Sequence, residues 1–261
     1  MEYNENNKLR VVTLCSGYDS QCLALNRLKL DFPPFDYELI AWSEFDPESN
    51  KPLERQPAVI AHNALFPQWA DRNLGDMTKI DWSQVPNFDL LFYSTPCQSI
   101  SQAGLQHGFA EGSGTRSSII WNVRDAIKVK RPKFLCLENV KSMVSGKFVD
   151  MFNLWQQELS NLGYANFPQI LNASDYGIPQ NRERIFLVSI RIDNENEMPK
   201  YCFPEPFKLE KTLLDFLDND VSESCYLDNG QIKRLIDKSK EINYGLYTTY
   251  SNSLFENNLE I

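Results

Sequence analysis

The stretch LRVVTLCSGYDSQCLALNRLKL, residues 9–30, contains the two kinds of element from which the fold is built. Residues 9–15 (LRVVTLC) are nearly all apolar, which is typical of a strand buried on both faces of a sheet. The polar turn SGYDS follows, and residues 21–30 then place Leu23, Leu25 and Leu28 among polar residues at helical spacing. A strand, a tight turn and a helix in this order predict the first unit of an α/β fold.

Four further apolar runs continue this alternation. They are YELIAWSE (37–44), FDLLFYS (88–94), FLCLEN (134–139) and IFLVSIRI (185–192), with helix-like stretches at 117–130 and 149–162. The pattern predicts a Rossmann-like α/β fold, a doubly wound and mostly parallel sheet with helices on both faces. The alternation fades from residue 193 onward. We therefore expect one main domain over 8–192, and a connection with a short C-terminal remnant over 193–261.

Composition limits the classes of protein to which the chain can belong. Of 261 residues, 42% are hydrophobic and 23% are charged, as in ordinary globular proteins. No apolar run approaches the roughly 18 residues of a membrane helix and no signal-peptide pattern opens the chain, so we expect a cytoplasmic protein. Six cysteines without metal-ligand spacing predict free thiols and no metal. The net charge of -9 argues against a stand-alone nucleic-acid binder, because Lys and Arg supply most phosphate contacts.

The residues that follow each run are the candidates for a ligand site, because ligands bind at the carboxyl ends of parallel strands. Gly17 permits a tight turn whose amides can face a ligand, although a glycine in an ordinary βα turn fits the same pattern. Glu44 can accept hydrogen bonds from ribose hydroxyls, and Phe45 can flank an adenine ring. Together the two turns favour an adenosine-containing cofactor without identifying it.

Cys97 is the strongest candidate for a nucleophile. It lies beyond the third run in STPCQ, where Pro96 stiffens the backbone, whereas a structural cysteine such as Cys136 lies within a run. The glycine-rich stretch 102–115 fits a mobile lid and an ordinary flexible loop equally well. A cysteine hydrolase is disfavoured, because neither histidine of the chain stands at a matching strand end to act as the base.

Charged side chains near two further runs complete the candidate site. Glu138 leaves the fourth run, so we expect it beside Cys97 as a buried carboxyl group that can stay protonated and act as an acid or hydrogen-bond donor. Gln180, Arg182 and Arg184 alternate ahead of the fifth run, so they share one face of an extended backbone. Two fixed guanidinium groups can orient a carboxylate or a carbonyl oxygen.

The order of these features resembles that of the DNA (cytosine-5-)-methyltransferases, which use S-adenosylmethionine. The matching segments are LCSGYDSQCLAL, EFD, GDM, TPCQSIS, TRSSI, LENV and PQNRER, between about residues 11 and 192. The resemblance implies that the Cys97 thiolate adds to carbon 6 of a cytosine flipped out of double-stranded DNA, which activates carbon 5 toward the methyl group. Glu138 would hydrogen-bond the ring nitrogen and amino group, and Arg184 the base carbonyl oxygen.

The same resemblance assigns supporting and cofactor-binding residues. Asn139 would brace the Cys97 loop with Gln98 in support, and Arg182 and Gln180 would support Arg184. The implied cofactor residues are Gly17 near the methionine portion, Glu44 on the ribose, Phe45 against adenine, Asp76 on the adenine amino group, and Met77 and Pro96 nearby. The chain departs from the family where Phe is common at position 15 and Gly at positions 19 and 20.

A further departure concerns the end of the chain. Family members follow PQNRER with a target-recognition domain and a segment that closes the cofactor pocket, and neither is evident here, although 203–218 resembles the usual connection. Three hypotheses follow. In the first, the chain is a methyltransferase of a restriction-modification type whose recognition part lies on a second polypeptide. In the second, it is a truncated relative that binds cofactor without methylating. In the third, it is a relative that acts on tRNA.

Overall fold

The computed structural model describes residues 3–97, 108–194 and 196–241. It contains six strands: β1 (Leu9–Leu14), β2 (Tyr37–Ser43), β3 (Leu90–Tyr93), β4 (Phe134–Val140), β5 (Tyr164–Asn172) and β6 (Glu183–Arg191). Its α-helices are α1 (Ser20–Asp31), α2 (Pro57–Leu65), α3 (Ile120–Lys130), α4 (Val149–Asn161) and α5 (Asn229–Glu241). Short 3-10 turns connect several elements, and the turn Arg116–Ile119 leads directly into α3. The chain divides into two compact units between Glu210 and Lys211, and only α5 of these elements lies in the second.

The six strands form a single sheet in the order β2-β1-β3-β4-β6-β5. β1 pairs in parallel with β2 and β3, and β3 pairs in parallel with β4. β6 runs antiparallel to both β4 and β5. The fold is therefore the expected α/β sheet with helices, and all five predicted strands are present within two residues of the expected bounds. β5 and α2 were not predicted.

Side chains alternate between the two faces of the sheet and enter two separate hydrophobic clusters. In β1, Val12 and Leu14 join the cluster that contains side chains of α3 and α4. Leu9 and Val11 join the other cluster, with side chains of α1 and α2. Trp155 of α4 is fully buried and donates its indole N–H to the Tyr93 hydroxyl at 3.2 Å. Helices thus cover both faces and leave the ends of the strands open.

Candidate active site

The carboxyl ends of the parallel strands open onto one cleft of about 810 Å³. All predicted site residues except Gln98 and Gln180 line it: Gly17, Glu44, Phe45, Asp76, Met77, Pro96, Cys97, Glu138, Asn139, Arg182 and Arg184. Gln98 lies outside the described residues. Gln180 is not among the residues that line the cleft: its backbone belongs to a bend, and the strand begins only at Glu183.

Cys97 lies in the turn that follows β3. Its side chain is half-buried and packs against the cluster on the α3 and α4 side of the sheet. Asn139, at the end of β4, is 3% exposed and donates from Nδ2 to the Thr95 carbonyl oxygen at 3.0 Å. The same side chain accepts a hydrogen bond from the Val140 amide at 2.9 Å. The turn is therefore attached to the neighbouring strand two residues before the thiol.

The other five cysteines are also free. Burial raises the pKa of the Cys136 thiol to about 12, and the nearby Glu138 carboxylate acts in the same direction. Burial, followed by the Glu44 carboxylate, likewise raises the pKa of Cys15, which lies on the cleft wall, to about 12. A thiol that stays protonated is a poor nucleophile. Neither Cys15 nor Cys136 is therefore a good candidate for a nucleophile.

Glu138 forms an ion pair with Arg184 across the antiparallel pairing of β4 and β6. Arg184 Nε lies 3.1 Å from Glu138 Oε1, and the two side chains are 22% and 31% exposed. The expected buried carboxyl group is therefore wrong: the side chain is partly open to the cleft and has a cationic partner. Two groups that can recognise the polar edge of a ring thus lie side by side.

Glu44 links the turns after β1 and β2. Its Oε2 accepts a hydrogen bond of 2.7 Å from the backbone amide of Gly17. Burial raises the pKa of the Glu44 carboxyl group above its ordinary value, and the Gly17 amide only partly opposes this shift. Gly17 has φ +59, and a Cβ built there would meet no atom within 4 Å. The backbone therefore comes to the edge of the cleft without a side chain in the way.

Asp76 and Met77 form the neighbouring part of the wall. Asp76 Oδ1 accepts hydrogen bonds from the Thr78 amide at 3.0 Å and the Thr78 hydroxyl at 2.8 Å. Burial would raise the pKa of Asp76, but these bonds and the Lys79 ammonium group hold it below its ordinary value. The Met77 side chain is 5% exposed, and Phe45 is 37% exposed. An anionic acceptor thus lies near an apolar side chain and an accessible ring.

The structure accounts for a departure from the family pattern at position 19. Asp19 has φ 63, a left-handed conformation that glycine adopts without strain. Its carboxylate is fully buried, accepts a hydrogen bond from the Thr13 hydroxyl at 2.8 Å, and lies 3.5 Å from His62 Nε2. His62 in turn stacks on Trp42 with ring centroids 3.5 Å apart. Side-chain interactions hold this turn in a conformation that glycine would otherwise favour.

Sequence reasoning missed two residues of the TRSSI segment. Arg116 lines the cleft and lies 3.4 Å from Asp46 Oδ1 and 3.3 Å from Glu48 Oε1. Ser117 is 2% exposed and donates its hydroxyl to the Pro96 carbonyl oxygen at 2.6 Å. Nothing in the local pattern of TRSSI shows that the segment folds back onto the Cys97 turn.

Within the described ranges, no helix has the length and apolar character needed to cross a bilayer. In the same part of the chain, no three His, Cys, Asp or Glu side chains cluster as metal ligands.

Comparison with known proteins places these features in one family. The model of the C-5 cytosine-specific DNA methylase family matches residues 9–258. The type II methyltransferase M2.ScrFI of Lactococcus lactis subsp. cremoris is 45% identical over 162 residues, which are 62% of this chain and 44% of the relative. The orphan methyltransferase M.SssI of Spiroplasma monobiae is 35% identical over 197 residues, 73% of this chain and 50% of the relative. The chain thus spans about half the length of these two relatives.

A solved structure shows the same fold. A crystal structure of a Spodoptera frugiperda DNMT2 mutant matches with a TM-score of 0.61 at 18% identity, over 83% of this chain and 62% of that one. At this identity the match supports the fold alone.

Proposed function

Because the chain belongs to the C-5 cytosine-specific DNA methylase family, we propose that it carries the catalytic part of an enzyme that methylates carbon 5 of cytosine in DNA, with S-adenosylmethionine as the methyl donor. The single observation that carries the proposal is the cleft itself. It brings a half-buried cysteine on a supported turn, the Glu138–Arg184 pair, and Gly17 and Glu44 of the turns after β1 and β2 to one edge of the sheet.

The cleft fits an adenosine-containing donor at the turns after β1 and β2. Gly17 leaves open space where a side chain would stand, and the buried hydroxyl of the adjacent Ser16 has no hydrogen-bond partner among the described residues. Glu44 would accept from the ribose hydroxyls, Asp76 from the adenine amino group, and Phe45 would lie against the adenine ring. When bound, S-adenosylmethionine supplies an electrophilic methyl group.

The chain's own residues would activate the base. The Cys97 thiolate adds to carbon 6 of cytosine, which makes carbon 5 nucleophilic. In its protonated form Glu138 donates to the ring nitrogen, and it accepts a hydrogen bond from the amino group, which limits the build-up of negative charge on the ring, while Arg184, supported by Arg182, binds the carbonyl oxygen. After methylation, a water molecule takes the proton from carbon 5, the electron pair of that bond re-forms the double bond between carbons 5 and 6, and the bond from carbon 6 to sulfur breaks to release Cys97 as a thiolate. The base must leave the helix to reach these groups, at a cost of roughly a few kcal/mol.

Target recognition is proposed to need a further polypeptide. One observation favours this form of the hypothesis: the net charge of -9 leaves little positive charge for phosphate contacts within these 261 residues.

A trapping assay tests the proposal. The chain is incubated with S-adenosylmethionine and a DNA duplex containing 5-fluorocytosine, in which fluorine blocks the final elimination, and the covalent adduct is measured by denaturing electrophoresis. Cofactor binding is measured separately by calorimetry. Cys97→Ala is expected to abolish the adduct and to leave cofactor affinity within about twofold, because the thiol is not assigned to cofactor binding. Cys202→Ser, at an exposed free thiol, is the matched control and should behave as the wild type.

The assay is run with and without the products of neighbouring genes. An adduct from the chain alone indicates a self-sufficient enzyme, and an adduct only with a partner indicates a split enzyme. Cofactor binding without an adduct in either case supports the truncated relative, and trapping on tRNA instead of DNA supports the third alternative. An adduct that persists in Cys97→Ala refutes the assigned nucleophile, and a wild-type chain that does not bind S-adenosylmethionine refutes the proposed function.

A further inference from the structure

Ser117 contacts the Cys97 turn from a different element than Asn139 does. It lies in the 3-10 turn Arg116–Ile119 ahead of α3, and its hydroxyl donates to the Pro96 carbonyl oxygen at 2.6 Å. That carbonyl belongs to the peptide group that joins Pro96 to Cys97. The hydrogen bond therefore restrains the peptide plane immediately before the thiol-bearing residue.

Two successive carbonyl groups of the turn are thus held by two different elements. The Thr95 carbonyl accepts from Asn139 at the end of β4, and the Pro96 carbonyl accepts from Ser117 in the 3-10 turn ahead of α3. Both donor residues are buried, at 3% and 2% exposure. The proline ring between the carbonyls fixes one of the intervening backbone angles. Little rotational freedom therefore remains in the backbone immediately before Cys97.

The segment that carries Ser117 is itself well supported. The Ser118 amide donates to the Thr115 carbonyl at 3.0 Å, and the Thr115 hydroxyl donates to the Gly108 carbonyl at 2.9 Å. Ile120, the first residue of α3, is fully buried in the core. The ion pairs of Arg116 are partly exposed, and such pairs contribute little. Backbone and core contacts therefore fix the position from which Ser117 donates.

We infer that Ser117 is a positioning residue for the Cys97 thiol: it holds the turn so that the sulfur points into the cleft. The inference rests on the proposed function only in taking Cys97 as the reactive thiol. Ser117 touches neither base nor cofactor in this role. It acts through the Pro96 carbonyl and through the direction that this peptide gives to the next residue.

Removing the hydroxyl is expected to release the turn without unfolding the protein. A single hydrogen bond contributes about 1 kcal/mol net, which corresponds to about fivefold in the equilibrium between the held and released turn. In the held turn the Cys97 side chain is half-buried and packs against the core cluster, so release of the turn exposes the thiol further. Ser117→Ala should therefore increase the rate of Cys97 alkylation by iodoacetamide by about fivefold.

The cysteines of the chain provide internal references for this measurement by peptide mass spectrometry. Cys202 is exposed and reports the reagent concentration, whereas Cys22 is buried and reports global opening. Ser118→Ala is the matched control, because it removes a hydroxyl from the same turn without touching Pro96. Ser117→Thr keeps the donor and should restore the slow alkylation of Cys97.

The expected result is faster alkylation of Cys97 in Ser117→Ala alone, with Cys22 still protected and the Cys202 rate unchanged. Equal Cys97 rates in Ser117→Ala, Ser118→Ala and the wild type overturn the inference. If Cys22 becomes reactive together with Cys97, Ser117 is merely structural and the inference also fails. Calorimetry with S-adenosylmethionine on the same samples keeps the two proposals separate. Absence of binding refutes the proposed function, whereas the alkylation rates decide the role of Ser117 in either case.

Discussion

Replacing Asn139 by Asp changes one donor in the support of the Cys97 turn. The wild-type side chain donates from Nδ2 to the Thr95 carbonyl at 3.0 Å and accepts from the Val140 amide at 2.9 Å. In Asn139→Asp the acceptor is kept, but a carboxylate oxygen replaces the donor and faces the carbonyl oxygen. The shape of the side chain is almost unchanged, so the effect isolates the lost hydrogen bond and the added charge.

The burial of Asn139 sets the magnitude. A buried carbonyl that loses its donor costs about 1–3 kcal/mol, and a carboxylate placed against it in a site with 3% exposure adds to this. We expect the free energy of unfolding near neutral pH to fall by about 3 kcal/mol, a large part of the roughly 5–15 kcal/mol typical of a domain.

The introduced carboxyl group should also make the loss dependent on pH. Burial and the facing carbonyl raise its pKa in the folded state above the value of about 3.9 in the unfolded chain. The folded state then binds the proton more tightly, so the stability of the variant relative to wild type falls as pH rises through the folded pKa. Below the unfolded pKa the protonated group can donate to Thr95, and most of the loss should disappear.

Urea unfolding followed by tryptophan fluorescence measures both effects, with buried Trp42 and Trp155 as reporters. Asn153→Asp is the matched control, because it makes the same chemical change at an exposed position of α4. The reasoning is refuted if Asn139→Asp unfolds at the same urea concentration as this control near neutral pH. A loss of stability that stays constant on acidification would refute the assigned contact with the Thr95 carbonyl.

Two further predictions concern the cofactor side of the cleft. Because burial raises the pKa of Glu44, its ionised fraction falls at pH values where an ordinary glutamate stays charged. The affinity for S-adenosylmethionine, measured by calorimetry from about pH 8 to about pH 5, should therefore weaken on acidification in the wild type but not in Glu44→Gln. Equal pH profiles of the two proteins would contradict the role of this carboxylate. Gly17→Ala should cost about 1–2 kcal/mol for its left-handed backbone and also lower cofactor affinity at least about tenfold. Gly112→Ala is the control, because Gly112 has φ +73 and equally open space but does not line the cleft. This variant should show the backbone strain alone. Equal cofactor affinities in the two variants would place Gly17 away from the cofactor.

Much of the fold and of the cleft could be predicted from local pattern. Strands buried on both faces leave long apolar runs, and the polar residues that end them stand at the ligand edge of a parallel sheet. Gly17, Glu44, Cys97 and Glu138 were found in this way and lie on one cleft. The support of the Cys97 turn by Asn139 was expected only from resemblance, and the matching contact of Ser117 was missed, because a hydrogen bond between elements distant in sequence leaves no periodic signal.

The position of the two arginines shows most clearly what a local sequence pattern cannot predict. The sequence by itself determined that 185–192 is a strand and that Arg182 and Arg184 precede or open it. It did not determine the direction of this strand, because an apolar run looks the same in a parallel and in an antiparallel strand. The direction of β6 is set by its short connection to β5. The strand β5 was not predicted, because its residues are buried to different degrees and because Pro168 is unusual inside a strand. Only ten residues, 173–182, join β5 to β6, and a parallel connection needs a dozen or more.

β6 therefore enters the sheet antiparallel to β4, and Arg184 pairs in register with Val140 at the carboxyl end of that strand. In a parallel arrangement the start of β6 would lie at the opposite edge, far from Cys97. The sequence determined which side chains are capable of the chemistry. The tertiary structure decided that Arg184 meets Glu138 in the cleft, because the short β5–β6 connection reverses the direction of the last strand.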